Sequence, residues 1–98
     1  MTRTIDLNAD MGESFGTWVK GNDAALLDIV TSANVACGFH AGDPDVMAST
    51  MALAVEKGVG IGAHPGFREV WGFGRFRMQV PHANLANMIS YQVAAAQG

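Results

Sequence analysis

Polar and apolar positions along the chain alternate between two kinds of run: short β-rich stretches, and longer stretches whose apolar residues recur three and four apart. Thr4-Ile-Asp-Leu7 has period two and predicts a first strand, which ends where Asn8, Asp10, Gly12 and Glu13 break the pattern. Asn22-Asp23 can cap a helix over Ala24–Val30, in which Leu26, Leu27 and Val30 share a face. Ser32-Ala-Asn-Val-Ala36 reads as the second strand. Gly42-Asp43-Pro44 is a helix start: Asp43 can accept from the orphan N–H groups of the first turn, and Pro44 lacks only an N–H that this turn leaves unpaired. The apolar face of Val46, Met47, Met51, Leu53, Ala54 and Val55 carries that helix through Lys57, where Gly58 is the expected left-handed terminator.

Val59-Gly-Ile-Gly-Ala63 predicts a short, glycine-rich third strand. The segment from His64 to Met78 is too aromatic for a solvated linker and too broken by glycine for a regular element, so it reads as a binding loop or lid. Pro81–Ala96 predicts a third helix, with Leu85, Met88, Ile89, Tyr91, Gln92 and Val93 forming an apolar stripe with a polar edge. Strand and helix in alternation, joined by short connections, argue for an α/β fold with parallel strands and outer helices. In that arrangement the loops leaving the carboxyl ends of the strands lie side by side, and residues distant in sequence converge on one rim.

That rim is where the chemistry sits. Three turns, Asn8–Glu13, Cys37–Asp43 and Gly62–Gly66, hold most of the glycine-rich and ionisable residues, and each follows a predicted strand. Asp6, Asn8, Asp10 and Glu13 crowd three carboxylates and an amide together; carboxylates this close raise one another's proton affinity unless a cation or donors intervene, which suits a general base or a metal ligand. His40 and His64, flanked by glycines, leave the second and third strands. With Asp10 they can supply either a two-nitrogen, one-carboxylate site for a divalent ion or a base and an electrophile around a polarised carbonyl. The spacing matches no local metal motif, so this reading comes from topology. Asn34 lies inside a strand, where an amide suits a polar interior or a bound substrate. Gly72-Phe-Gly74-Arg75 places a guanidinium after permissive glycines, as bidentate recognition of a carboxylate or phosphate requires. Cys37 reads as a small buried hydrophobe rather than a nucleophile.

Composition narrows the classes. At 98 residues and 10.3 kDa the chain is a single domain, residues 1–98. Hydrophobic residues make up 49% and charged residues only 15%, so apolar surface is expected to pack against other subunits, further copies or a continuation beyond Gly98. A net charge of −3 with six basic residues and no basic run argues against nucleic acid as a partner. With no secretory leader pattern and no membrane-length apolar run, the chain is expected in the cytoplasm, away from membranes. A single cysteine allows no internal disulfide. No Gly-Lys-Ser/Thr phosphate loop and no complete dinucleotide fingerprint occurs.

The strings Ile5-Asp-Leu-Asn-Ala-Asp-Met-Gly-Glu-Ser-Phe-Gly16, Ser32-Ala-Asn-Val-Ala-Cys-Gly-Phe-His-Ala-Gly-Asp-Pro44, Gly62-Ala-His-Pro-Gly-Phe67 and Gly72-Phe-Gly-Arg75 resemble the LamB/YcsF family of 5-oxoprolinase A subunits. The likeness runs from about Ile5 to Tyr91. It implies a β/α barrel of the glycoside hydrolase/deacetylase type, of which this chain supplies about three βα units as the N-terminal part. It also implies a part in the ATP-dependent opening of the lactam 5-oxoproline to L-glutamate, with Mg2+ as counter-ion to ATP and with partner subunits B and C. The family's polar positions fall on Asp6, Asn8, Asp10, Glu13, Asn34, Cys37, His40, His64 and Arg75. On this reading Asp10, His40 and His64 are catalytic, while Asp6, Asn8, Glu13, Asn34 and Arg75 bind substrate. A divalent-metal hydrolase with Asp10, His40 and His64 as ligands, and a non-catalytic component that binds the lactam or scaffolds its partners, are the alternatives.

Overall fold

The computed structural model describes residues 2–98. Its elements alternate as β1 (Asn8–Met11), α1 (Asp23–Leu27), β2 (Ser32–Ala36), α2 (Pro44–Lys57), β3 (Gly60–His64) and α3 (His82–Gln97). The three strands form one parallel sheet in the order β1-β2-β3, with α1 and α2 as the crossovers. Asn8 pairs with Ser32 and Asp10 with Asn34; Asn34 pairs in turn with Gly62, and Ala36 with His64.

Strand alternation divides the sheet into two faces. Ala9, Met11, Ala33 and Val35 point to the helical side and build the core with Leu27, Ala54 and Val59, while Met47, Met51 and Leu53 of α2 pack around them. Full burial of a side chain such as Val35 or Met11 contributes about 1.5–3 kcal/mol. The opposite face carries Asn8, Asp10, Ser32, Asn34 and His64. The apolar excess seen in the composition stays outside in part, with Ile5, Val19, Val55 and Trp71 exposed. Among the described residues, no helix is long and apolar enough to cross a membrane.

Helix α2 follows the sequence reading closely. Asp43 Oδ1 accepts from the Val46 N–H at 2.8 Å, Pro44 opens the first turn, and Gly58 closes the helix in the left-handed region at φ 71°. The first strand does not. Thr4–Leu7 carries the β propensity but stays exposed, and β1 forms four residues later, at Asn8–Met11. Pairing decides the matter: the Leu7 carbonyl accepts from the N–H groups of Thr31 and Ser32, which sets the register and puts poor strand formers, Asn8 and Asp10, opposite Ser32 and Asn34. β3 sits one residue later than the pattern suggests, which brings His64 into the strand itself. Helix α1 is shorter than predicted, ending at Leu27 and unwinding through turns to Val30.

Candidate functional site

A polar ladder climbs the open face of the sheet. The Asp6 carboxylate accepts from the hydroxyls of Thr31 and Ser32, and these bonds hold its pKa below the usual carboxylate range. Asn8 Nδ2 donates to Ser32 Oγ at 2.9 Å and to Asn34 Oδ1 at 3.3 Å. Asn34 Nδ2 donates to Asn8 Oδ1 at 2.7 Å and to Asp10 Oδ1 at 3.0 Å. Asp10 Oδ1 lies 3.7 Å from His64 Nδ1. The ladder thus leads from one end of the sheet to the other, and Asp6 belongs to the far end: with about 3.3 Å of rise per residue, the Ser32 level is roughly 13 Å below that of Ala36. Both Asn34 amide hydrogens are already engaged, so what Asn8 and Asn34 visibly do is hold Asp10.

At the carboxyl ends of the strands His40 and His64 meet, with ring centroids 4.7 Å apart. His40 follows β2 and is only 3% exposed; burial, reinforced by the neighbouring His64, lowers its pKa and favours the neutral imidazole. Both His40 ring nitrogens and His64 Nδ1 are buried without a hydrogen-bond partner among the described residues. Glu13, from the turn after β1, joins the pair: one ligand atom each from Glu13, His40 and His64 lie within 4.8 Å of one another. Burial raises the Glu13 pKa, with the Lys20 ammonium pulling the other way.

The segment after β3 closes over these rings. Phe73 stands 5.4 Å from His40 between ring centroids, and Lys20 Nζ sits 3.5 Å over the Phe73 ring. A Cβ at Gly66 would overlap the His40 ring, so only glycine allows this approach. Gly66 is held there by Gln92 of α3, whose side chain accepts from the Gly66 N–H and donates to its carbonyl, both at 2.9 Å. Gln92 is fully buried. On the other flank, a Cβ at Gly42 (φ 79°) would come within 2.5 Å of the Gly12 carbonyl oxygen, which ties the turn after β2 to the turn after β1.

Asp10, His40, His64 and Arg75 line one cavity of about 510 Å³, whose remaining wall is apolar, with Phe67, Phe73, Leu85 and Met88. That size suits a small organic ligand, fixed by a few polar groups in a largely apolar pocket. Of the residues singled out by sequence, Asn8 and Asn34 support the cavity from below, Glu13 joins the two histidines without lining the cavity, and Asp6 lies away from it. Cys37 is buried, its thiol pKa pushed up by burial, in keeping with a packing role. Lys20 gave no signal in the sequence, and Phe73 only the general one of lying in the aromatic loop and the Gly72–Arg75 string. Gln92 gave a weak one, as an amide inside an apolar helical stripe.

Residues 5–98 match the LamB/YcsF family. A protein of Ruegeria pomeroyi named as the A subunit of 5-oxoprolinase is 69% identical over 98 residues, covering 100% of this chain and 38% of that protein. A protein of the same name from Gluconobacter oxydans is 62% identical over 95 residues, covering 97% and 37%. The crystal structure of a lactam utilization protein from Thermus thermophilus superposes with a TM-score of 0.93 at 42% identity, covering 97% of this chain and 38% of that one. The chain therefore spans less than two-fifths of the length of these relatives, and its three parallel strands and helices form part of the barrel that they share.

Proposed function

This chain belongs to the LamB/YcsF family, and from that premise we propose that it carries the reacting groups of a cytoplasmic 5-oxoprolinase, as part of its A component. In that role it opens the lactam of 5-oxoproline to L-glutamate, in an ATP-dependent reaction completed with subunits B and C. The observation that supports this most is the convergence of Asp10, His40, His64 and Arg75 on one small cavity with apolar walls.

Hydrolysis of a lactam needs a base for the attacking water, an electrophile at the carbonyl oxygen and a proton for the departing nitrogen. Asp10 is the base. Asn34 orients its carboxylate, and the carboxylate keeps access to the cavity. His40 and His64, whose rings line the cavity, form the electrophilic side, each through one ring N–H towards the carbonyl oxygen. Arg75 takes the substrate carboxylate as an ion pair. Water adds to the carbonyl carbon, the ring C–N bond breaks, and the nitrogen leaves as the amino group of glutamate with the proton that Asp10 accepted.

ATP enters as the co-substrate that activates the carbonyl. Its γ-phosphoryl group passes to the lactam oxygen with ADP leaving, the water that opens the ring then yields an acyl phosphate, and a second water releases phosphate and glutamate. The sequence holds no phosphate loop, and among the described residues lining the cavity Arg75 is the one Lys or Arg. These residues do not fit a triphosphate, so its binding falls to the assembled enzyme.

The test uses the natural full-length protein reconstituted with its partner subunits, with glutamate formation as readout. His64→Ala and Asp10→Ala are expected to lower kcat by about 10²- to 10⁴-fold. Normal turnover by both variants, with the fold intact by circular dichroism, refutes the site. Binding of 5-oxoproline by the wild type, with no turnover when every partner is supplied, would mark a lactam-binding scaffold instead.

A further inference from the structure

Three consecutive strand ends each deliver one side chain to the same point. Glu13 comes from the turn after β1, His40 from the turn after β2 and His64 from the end of β3, and their ligand atoms lie within 4.8 Å of one another. Both nitrogens of His40 are buried with no partner among the described residues, while Nδ1 of His64, also without a hydrogen bond, faces Asp10 Oδ1 at 3.7 Å. Buried polar atoms in this state are rare in folded proteins and call for an ion, a water or a ligand group to complete them. We propose that Glu13, His40 and His64 form a binding site for a divalent transition-metal ion, with the remaining coordination positions open towards the cavity.

The donor set names the class of ion. Two imidazole nitrogens and one carboxylate with open positions suit zinc, cobalt(II) or iron(II), whereas magnesium and calcium take sites built from oxygen. Tetrahedral bonds of about 2.0–2.1 Å separate ligand atoms by about 3.4 Å, so the trio must draw together from its present spacing of up to 4.8 Å when an ion binds. Asp10 has a different place. Its Oδ1 already accepts from Asn34 Nδ2 and faces His64 Nδ1 at 3.7 Å, the position of a carboxylate that orients a ligating imidazole through the ring nitrogen not bound to metal. His64 then binds through Nε2, and Asp10 stays available as a base. The ion deepens the lactam reading and rests on it for its chemistry, since it supplies the electrophile that the two histidines otherwise form alone. The site itself rests on ligand geometry, and it is measured without substrate.

The experiment strips the natural full-length protein with a chelator and titrates it with Co2+, following visible ligand-field absorption. One equivalent per chain, with the intense bands of a four- or five-coordinate ion, is expected. Glu13→Gln and His64→Ala, checked for folding by near-ultraviolet circular dichroism, should each weaken binding by about a hundredfold or more. Asp10→Asn should weaken it by about tenfold and keep the bands. A wild-type protein with no saturable spectrum overturns the proposal without recourse to any variant. So does a site that survives Glu13→Gln and vanishes in Asp10→Asn. Loss of lactam turnover with cobalt binding intact would instead count against the reaction and leave the site standing.

Discussion

The two faces of the same small sheet are built on opposite terms. On the helical face Ala33 and Val35 are fully buried, and Met11 is 1% exposed; contact with α1 and α2 satisfies them, because apolar packing is non-directional and asks only for volume. On the open face, at the alternate positions of the strands, Asn8, Asn34 and Asp10 are tied to one another by specific donors and acceptors and lead to His64. The first face stabilises the fold, and the second fixes where a carboxylate and the imidazole of His64 stand. Neighbouring positions on one strand can therefore respond to substitution in wholly different ways.

The largest effect is expected on the helical face. Val35→Asp places a carboxyl among Met11, Leu27 and Ala54 with no partner, at a cost of about 4 kcal/mol or more, and the natural full-length protein should fail to accumulate in folded form. Soluble yield and near-ultraviolet circular dichroism decide this. A folded Val35→Asp protein would show that the two faces are not so different. Next comes Gly66→Ala, whose added methyl overlaps the His40 ring while Gln92 keeps the loop in place. Displacement of the ring by about 1 Å predicts a drop in kcat near a hundredfold, and the overpacking lowers the melting temperature while leaving the protein folded, read by glutamate formation and calorimetry.

On the open face, Asn34→Leu removes the donor that orients Asp10 and leaves Asn8 short of a partner. Turnover should fall by about tenfold or more and stability by about 1 kcal/mol; a larger loss of stability than of activity would break the comparison. The smallest effect concerns acid stability. The N–H groups of Gly16 and Val46 hold the Asp43 carboxyl below its usual pKa. A depressed folded pKa means stability present above the unfolded value and lost as pH falls through the usual carboxylate range towards the folded one. Asp43→Asn should accordingly flatten the acid limb of an unfolding-versus-pH profile, and an unchanged limb would remove this contribution.

Legibility follows the range of the interactions. Helix α2 is readable almost to the residue because its signals, the Asp43 cap, Pro44 and Gly58, act within a few positions of themselves. β2 is readable because its alternation coincides with burial. β1 escapes the pattern because Thr4, Ile5 and Leu7 carry the stronger β propensity, while the strand is set by pairing to residues 24 positions away in sequence, as in the Leu7 N–H bond to Thr31 Oγ1. The same limit applies to the site. Asp10, His40, His64 and Arg75 can be nominated from their strand-end positions, but nothing in the turn after β1 tells that Glu13 reaches the histidines while Asp10 turns to Asn34. Nor does an amide in the α3 stripe announce that it grips Gly66.

By itself the sequence determined the alternation of strands and helices, the caps of α2, the parallel topology and the family, because periodicity, turn chemistry and motif strings are local properties of the chain. Only the tertiary structure decided which carboxylate faces which imidazole, that His40 is sealed under Gly66 and Gly74, and that Asp6 stands at the far end of the sheet. The physical reason is that strand register and side-chain packing are set by partners remote in sequence. A shift of a single residue in register would carry Asn8 and Asp10 to the opposite face.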